Sequence, residues 1–60
     1  MEIKVIDNLN NEEIFRGKAK EFLIINDNEE ELADCIAKLM TKEMVTYVTF
    51  LGQSYNIYKI

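Results

Sequence analysis

Only one stretch of this chain has the periodicity of a long amphipathic helix, and that limits everything around it. Leu32, Cys35, Ile36, Leu39 and Met40 recur at three- and four-residue spacing, flanked by Ala33 and Ala37, while Glu30, Glu31, Asp34, Lys38 and Lys42 fall on the other side. The spacing predicts a helix over 28–42, capped by Asp27 or Asn28, each with a glutamate three residues on to complete a capping box. One helix covers one face of a sheet and no more. With β-branched runs at both ends of the chain, the expected fold is α+β: a small antiparallel sheet in ββ-α-ββ order packed on the main helix.

The flanking segments supply the strands. "EIKVID" (2–7) is β-branched and runs into the turn-rich "DNLNNE". Residues 13–25 admit two readings. Phe15, Gly17 and Ala19 alternate with Arg16, Lys18 and Lys20 as in a strand, yet Ile14, Phe15, Ala19, Phe22 and Leu23 also share a helical face. Gly17 costs about 1 kcal/mol relative to alanine inside a helix and permits a bulge or break at a strand end, which favours a hairpin over 2–17 and a short extra helix at 18–25. A four-residue turn, Asn8 to Asn11, then sets Val5 opposite Ile14 and Ile3 opposite Arg16, with Ile6 and Phe15 on the other face.

The C-terminal segment reads as strands 44–51 and 54–60 joined by Gly52-Gln53 in a type II′ turn. That register pairs Phe50 with Tyr55 and Val48 with Ile57 on one face, and Tyr47 with Tyr58 and Val45 with Ile60 on the other. A face left uncovered by the helix would show tyrosines and aliphatics to solvent, so Tyr47, Tyr58, Val45 and Ile60 are expected as protein-binding residues. Among the aromatics, Tyr47, Tyr55 and Tyr58 with Phe50 are the interaction candidates, and filling a sheet face is their competing reading, since strands favour aromatics in any case. Leu9, alone among asparagines in the first turn, is a weaker candidate anchor.

Sixty residues make one domain, 1–60, and a chain this short buries only about 60% of its unfolded surface. It lacks the usual reinforcements, having a single cysteine, Cys35, and no histidine, so neither a disulfide within the chain nor an ordinary zinc site is available. Self-association would bury more apolar surface, and a homodimer or a tight complex with a larger partner is expected. The lone thiol and the opening "MEIKVID", without a signal-like apolar stretch, place the chain by expectation in a reducing cytoplasm. No apolar run approaches the roughly 20 residues of a spanning helix, which disfavours a membrane partner. The net charge of −4 disfavours direct nucleic-acid binding.

Chemistry-bearing residues are scarce. The acidic run "NDNEEELADC" fails as an EF-hand loop begun at Asp27, because the sixth and twelfth positions hold Leu32 and Lys38 instead of glycine and glutamate. Glu29, Glu30, Glu31 and Asp34, with Glu12 and Glu13, could present spaced carboxylates to a basic groove in imitation of nucleic acid. Acids in a first helical turn also complement the macrodipole, as do Lys38 and Lys42 near the far end, and that reading accounts for most of the charge. Cys35 lies on the apolar stripe with no basic neighbour to activate it, and Ser54 has no adjacent base. Catalysis, cofactors and metals are therefore not expected.

The stretch "IKVIDNLNNEEIFRGKAKEF" resembles the opening of many small phage and mobile-element proteins of low-GC Gram-positive bacteria, through Asp7, Ile14, Phe15, Gly17, Ala19 and Glu21. In many of those a helix-turn-helix follows; here the next helix opens with three glutamates where a DNA-reading helix would carry basic or amide side chains. What the resemblance implies is a phage-type protein working in the host cytoplasm. Two functional expectations follow: a non-catalytic binder that inhibits a host protein, either a nucleic-acid enzyme or an antiviral defence system, or a self-associating regulatory or DNA-associated module.

Overall fold

The computed structural model describes residues 1–60. Six elements follow one another: β1 (Glu2–Asp7), β2 (Glu12–Lys18), α1 (Ala19–Ile25), α2 (Glu30–Lys38), β3 (Met44–Val48) and β4 (Ser54–Lys59). The strands form one antiparallel sheet in the order β2-β1-β4-β3, with both helices on one face. The α+β class, both hairpins and the short helix after Gly17 are as the sequence predicts. Ile3, Val5, Val45, Tyr47 and Ile57 from the sheet meet Ala19, Phe22, Leu32, Ile36 and Leu39 from the helical layer. Each large aliphatic among them contributes about 1.5–3 kcal/mol relative to remaining in water.

The first hairpin has the expected four-residue turn, in which Asp7 Oδ1 accepts the Leu9 N–H at 2.9 Å and Asn11 takes a left-handed conformation, φ 52°. Its register differs from expectation. Ile6 faces Glu13 but Val5 faces Phe15, so Ile14 is an extra residue in a β-bulge, and Ile3 faces Gly17 instead of Arg16. Phe15 thereby joins the helix-covered face while Ile6 remains on the open one. The ring packs at a tilt against Phe22, centroids 4.9 Å apart and planes 47° apart. A lone bulged residue is easier to leave half in water than a phenylalanine is, and Ile14 is 47% exposed.

The main helix, α2, begins later and ends sooner than 28–42. Asp27 and Asn28 both have positive φ, 57° and 52°, and their N–H groups return to Ile24 O and Leu23 O at 3.1 and 2.8 Å. They close α1 in a Schellman arrangement, aided by Asn26 Nδ2 donating to Phe22 O at 2.8 Å. A residue held in that conformation cannot also be the extended cap of the next helix, so Glu29 takes that place, without a side-chain capping bond. At the other end, Leu39, Met40 and Thr41 N–H groups bond three residues back, the tightening that terminates a helix. Leu39 remains fully buried, while Met40, expected on the apolar stripe, is 76% exposed.

The second hairpin is displaced more. Val45 faces Ile57, Tyr47 faces Tyr55 and Val48 faces Ser54, so Met44, not Tyr47, lies opposite Tyr58. The connection is longer than Gly52-Gln53. Thr49 and Gln53 close it through Thr49 N–H to Gln53 O at 2.8 Å, and Gly52 N–H bonds to Thr49 O at 2.9 Å with Gly52 at φ 84°. This is the three-residue loop Phe50-Leu51-Gly52 with glycine at the left-handed position. Val45 and Tyr47 consequently face the helices together with Tyr55, and Tyr58 faces the opposite way.

Candidate protein-binding surface

Hydrogen bonding between the strands places two turns side by side. Asn8 N–H donates to Ser54 O at 3.0 Å, which brings the β1–β2 turn against the start of β4 and hence against the β3–β4 turn. Three large apolar side chains stand at this end: Leu9 is 88% exposed, Phe50 100% and Leu51 82%. Ile25, at the end of α1, is also exposed. Nothing in the fold requires these groups to be apolar, which makes this end of the molecule the candidate contact surface.

An open groove of about 560 Å³ runs between the α1–α2 corner and the β3–β4 turn. Asp27, Glu29 and Glu31 line one side, Phe50 and Leu51 the other, and Tyr47 reaches it from the core. No lysine or arginine lines it. The only salt bridge in the molecule, Arg16 to Glu13 at 2.8 Å, lies on β2, so the groove carboxylates have no cationic partner. Burial pushes the Tyr47 phenol above its ordinary pKa, and the charges of Glu29 and Glu31 push the same way. A smaller recess of about 370 Å³ separates Leu9 from Leu51, with Asp7 and Gln53 at its sides.

The open face of the sheet is more polar than expected. Asn56 Oδ1 accepts from Thr46 Oγ1 at 2.8 Å and from Asn8 Nδ2 at 3.2 Å, and Asn8 Nδ2 also donates to Ser54 Oγ at 2.8 Å. Tyr58 lies under the Lys4 ammonium, 5.1 Å from ring centroid to Nζ. Apolar groups remain at the margins, with Ile14 47%, Val48 52% and Met44 39% exposed.

The residues expected to bind are therefore divided. Val45 and Tyr47, each 8% exposed, belong to the helix-covered face, Tyr58 to the open face, and Ile60 lies past β4 with its N–H on Glu2 O. The expected four-residue patch is not formed, because the longer hairpin loop turned Tyr47 inward. Glu30 and Asp34 point to solvent from α2, away from the groove that Glu29 and Glu31 share with Tyr47. Leu51 and Ile25 were not singled out by sequence, and Phe50, an interaction candidate there with Tyr47, Tyr55 and Tyr58, was expected within a strand; reading "FLG" as a three-residue loop would have put Phe50 and Leu51 at a tip. Cys35 is half-buried against the core, its Sγ 3.8 Å from Thr46 O. No group of three or more acidic, cysteine or histidine side chains converges as a metal site would need. No helix is long and apolar enough to cross a membrane.

No protein-family model matches the chain, and no curated protein or solved structure is significantly similar to it.

Proposed function

We propose that this chain is a non-catalytic binding protein of phage type, which attaches to a protein of the host cytoplasm and inhibits it. The observation that carries this reading is Phe50, fully exposed at a hairpin tip beside Leu51 and within reach of unpaired carboxylates. Aromatic anchors are enriched at the centre of protein interfaces, and charged groups such as these carboxylates suit the polar rim around one. The target is a nucleic-acid enzyme or a component of antiviral defence, whose basic surface the acidic end of the molecule complements. The resemblance of residues 3–22 to phage and mobile-element proteins supports the same setting.

The test is affinity capture from a bacterial lysate with the wild-type chain and with Phe50→Ser, followed by assay of the captured protein. One stoichiometric partner, inhibited by the wild type and released by Phe50→Ser, is the expected result. Retention of DNA, or of nothing beyond further copies of the chain, sinks the reading. A second reading, self-association through the open face, is favoured by the apolar margin Ile14, Met44 and Val48. Sedimentation of wild type and Val48→Lys separates it: a dimer that this substitution dissociates supports it.

A further inference from the structure

We propose that the free edge of β3 is the docking site for a second copy of this chain, whose own β3 pairs with it antiparallel about a two-fold axis at Thr46. The product is one continuous sheet with the two α2 helices side by side. This goes beyond the binding function proposed above and does not depend on it, and it uses the edge of the sheet instead of its open face.

The two outer strands, β2 and β3, are unlike. β2 is guarded: the Ile14 bulge breaks its ladder, and Glu12, Glu13, Arg16 and Lys18 put charge along it. Bulges and edge charges are the devices by which sheets avoid pairing with one another. β3, Met44–Val48, has no charge, proline or bulge and pairs with β4 in unbroken register. The bonds from Lys59 N–H to Glu43 O at 3.1 Å and from Thr49 N–H to Gln53 O at 2.8 Å set the phase of that pairing. Val45 and Tyr47 therefore bond to β4, while Met44, Thr46 and Val48 direct their N–H and C=O groups away from the sheet. Within the chain, Thr46 O receives only the Cys35 thiol, a weak donor at 3.8 Å. Such an edge is completed by another extended backbone.

The sequence of β3 suits it to its own copy. With Thr46 of one chain opposite Thr46 of the other, all the outward groups of Met44, Thr46 and Val48 find partners. On the open face the threonine pair is flanked on both sides by Met44 against Val48, which are 39% and 52% exposed in the single chain. On the covered face Val45 meets Tyr47, and no like charges are opposed.

The helix beside this edge has matching polarity. Glu31 lies with Tyr47 and Thr49 around one cavity, whereas Cys35, Lys38 and Lys42 lie with Met44, Val45 and Thr46 around another of about 280 Å³. α2 thus runs antiparallel to β3, with Glu31, Cys35 and Lys38 in a stripe along the free edge. The macrodipole favours acid before base in any helix; here a two-fold axis at Thr46 also sets Glu31 of each copy against Lys38 of the other. The small Cys35 side chains meet between these pairs. Neither Lys38 nor Lys42 has an ion-pair partner within the chain. An acidic extended peptide would satisfy the lysines and leave Glu31 unmatched, whereas a second copy matches both ends.

The experiment is sedimentation velocity of the full chain, with NMR of a mixture of isotopically labelled and unlabelled chain. One short strand and one helical stripe make a small interface, so a dissociation constant of about 10–100 μM is expected, with intermolecular nuclear Overhauser contacts between Met44 and Val48. Thr46→Pro removes an outward N–H, which an edge strand tolerates, and should weaken dimerisation by about 10-fold or more. Lys38→Glu, at an exposed site that leaves the fold intact, should weaken it by about 3- to 10-fold, and Glu31→Lys added to Lys38→Glu should restore it. Met44 and Val48 also border the open face, so Ile14→Lys serves as the control and should leave this dimer unchanged. The assignment is overturned if the chain stays monomeric up to about 500 μM, well above the expected constant. It is equally overturned if the intermolecular contacts fall on β2 or across the open face, or if the double charge variant dimerises no better than Lys38→Glu. A monomer leaves the proposed host-protein binding standing, since Phe50 lies outside β3.

Discussion

The ring of Phe15 lies across Gly17 two residues further along the same strand, so that a Cβ built on the glycine would stand 3.3 Å from Phe15 Cζ. Phe15 reaches over this point to pack against Phe22. The glycine therefore serves the contact between the first hairpin and α1, which puts a side chain at residue 17 in competition with the core.

Gly17→Ala is expected to destabilise the fold by about 1–2 kcal/mol, because the methyl crowds the ring and the residue has φ +156°. Urea denaturation followed by far-UV circular dichroism checks this. An unchanged midpoint would mean that the Phe15 ring relocates without loss.

Leu39→Ala and Phe50→Ser should behave oppositely. Leu39 is fully buried, and its truncation is expected to remove about 2–5 kcal/mol. That is a large part of the 3–9 kcal/mol on the order of which a chain of this length is stable. Phe50 is wholly exposed, so its replacement should change stability by no more than about 0.5 kcal/mol while abolishing partner capture. Thermal melts alongside the capture assay separate the two effects.

Alkaline stability should depend on Tyr47. Its pKa is raised in the folded state, first by burial and then by Glu29 and Glu31, so the unfolded chain loses this proton at lower pH than the folded one. The contribution is fully present below the unfolded value of about 10 and is lost as pH rises through the folded value. Melting temperatures measured from pH 9 to 11.5 should fall less steeply for Tyr47→Phe than for wild type. Parallel curves would contradict the burial of this phenol.

Asn56→Ala should cost about 0.5–1.5 kcal/mol, since Asn56 Oδ1 accepts from both Thr46 and Asn8 across three parts of the open face. A double-mutant cycle with Thr46→Val measures the share of that cost belonging to the pair.

What could be read from the sequence followed the physical range of each signal. The stripe at Leu32, Ile36 and Leu39 and the alternation in 2–7 are local periodicities, and both elements were legible. The α2 boundaries were not, because Asp27 and Asn28 suit a helix start and a helix end equally and only the bonds back to Leu23 and Ile24 decide between them. Both registers slipped on single residues. Ile14 as a bulge and Gly52 as the last loop residue are choices made by packing, since each sends an aromatic, Phe15 or Tyr47, to the covered face. The groove was illegible for the same reason, as Glu29, Tyr47 and Phe50 meet only through that register.

The pairing of β1 with β4, which joins Ile3 to Lys59 at the centre of the sheet, decides when the fold can be completed. Each hairpin can close locally, but the sheet is complete only when its first and last strands meet. A nascent chain held at the ribosome has no finished sheet before β4 emerges, and hence no floor on which α1, α2 and the β3–β4 turn can be brought together. The partner recognition proposed above would thereby be deferred until synthesis of this segment is over, and fragments left by interrupted translation or early proteolysis would lack the surface it requires.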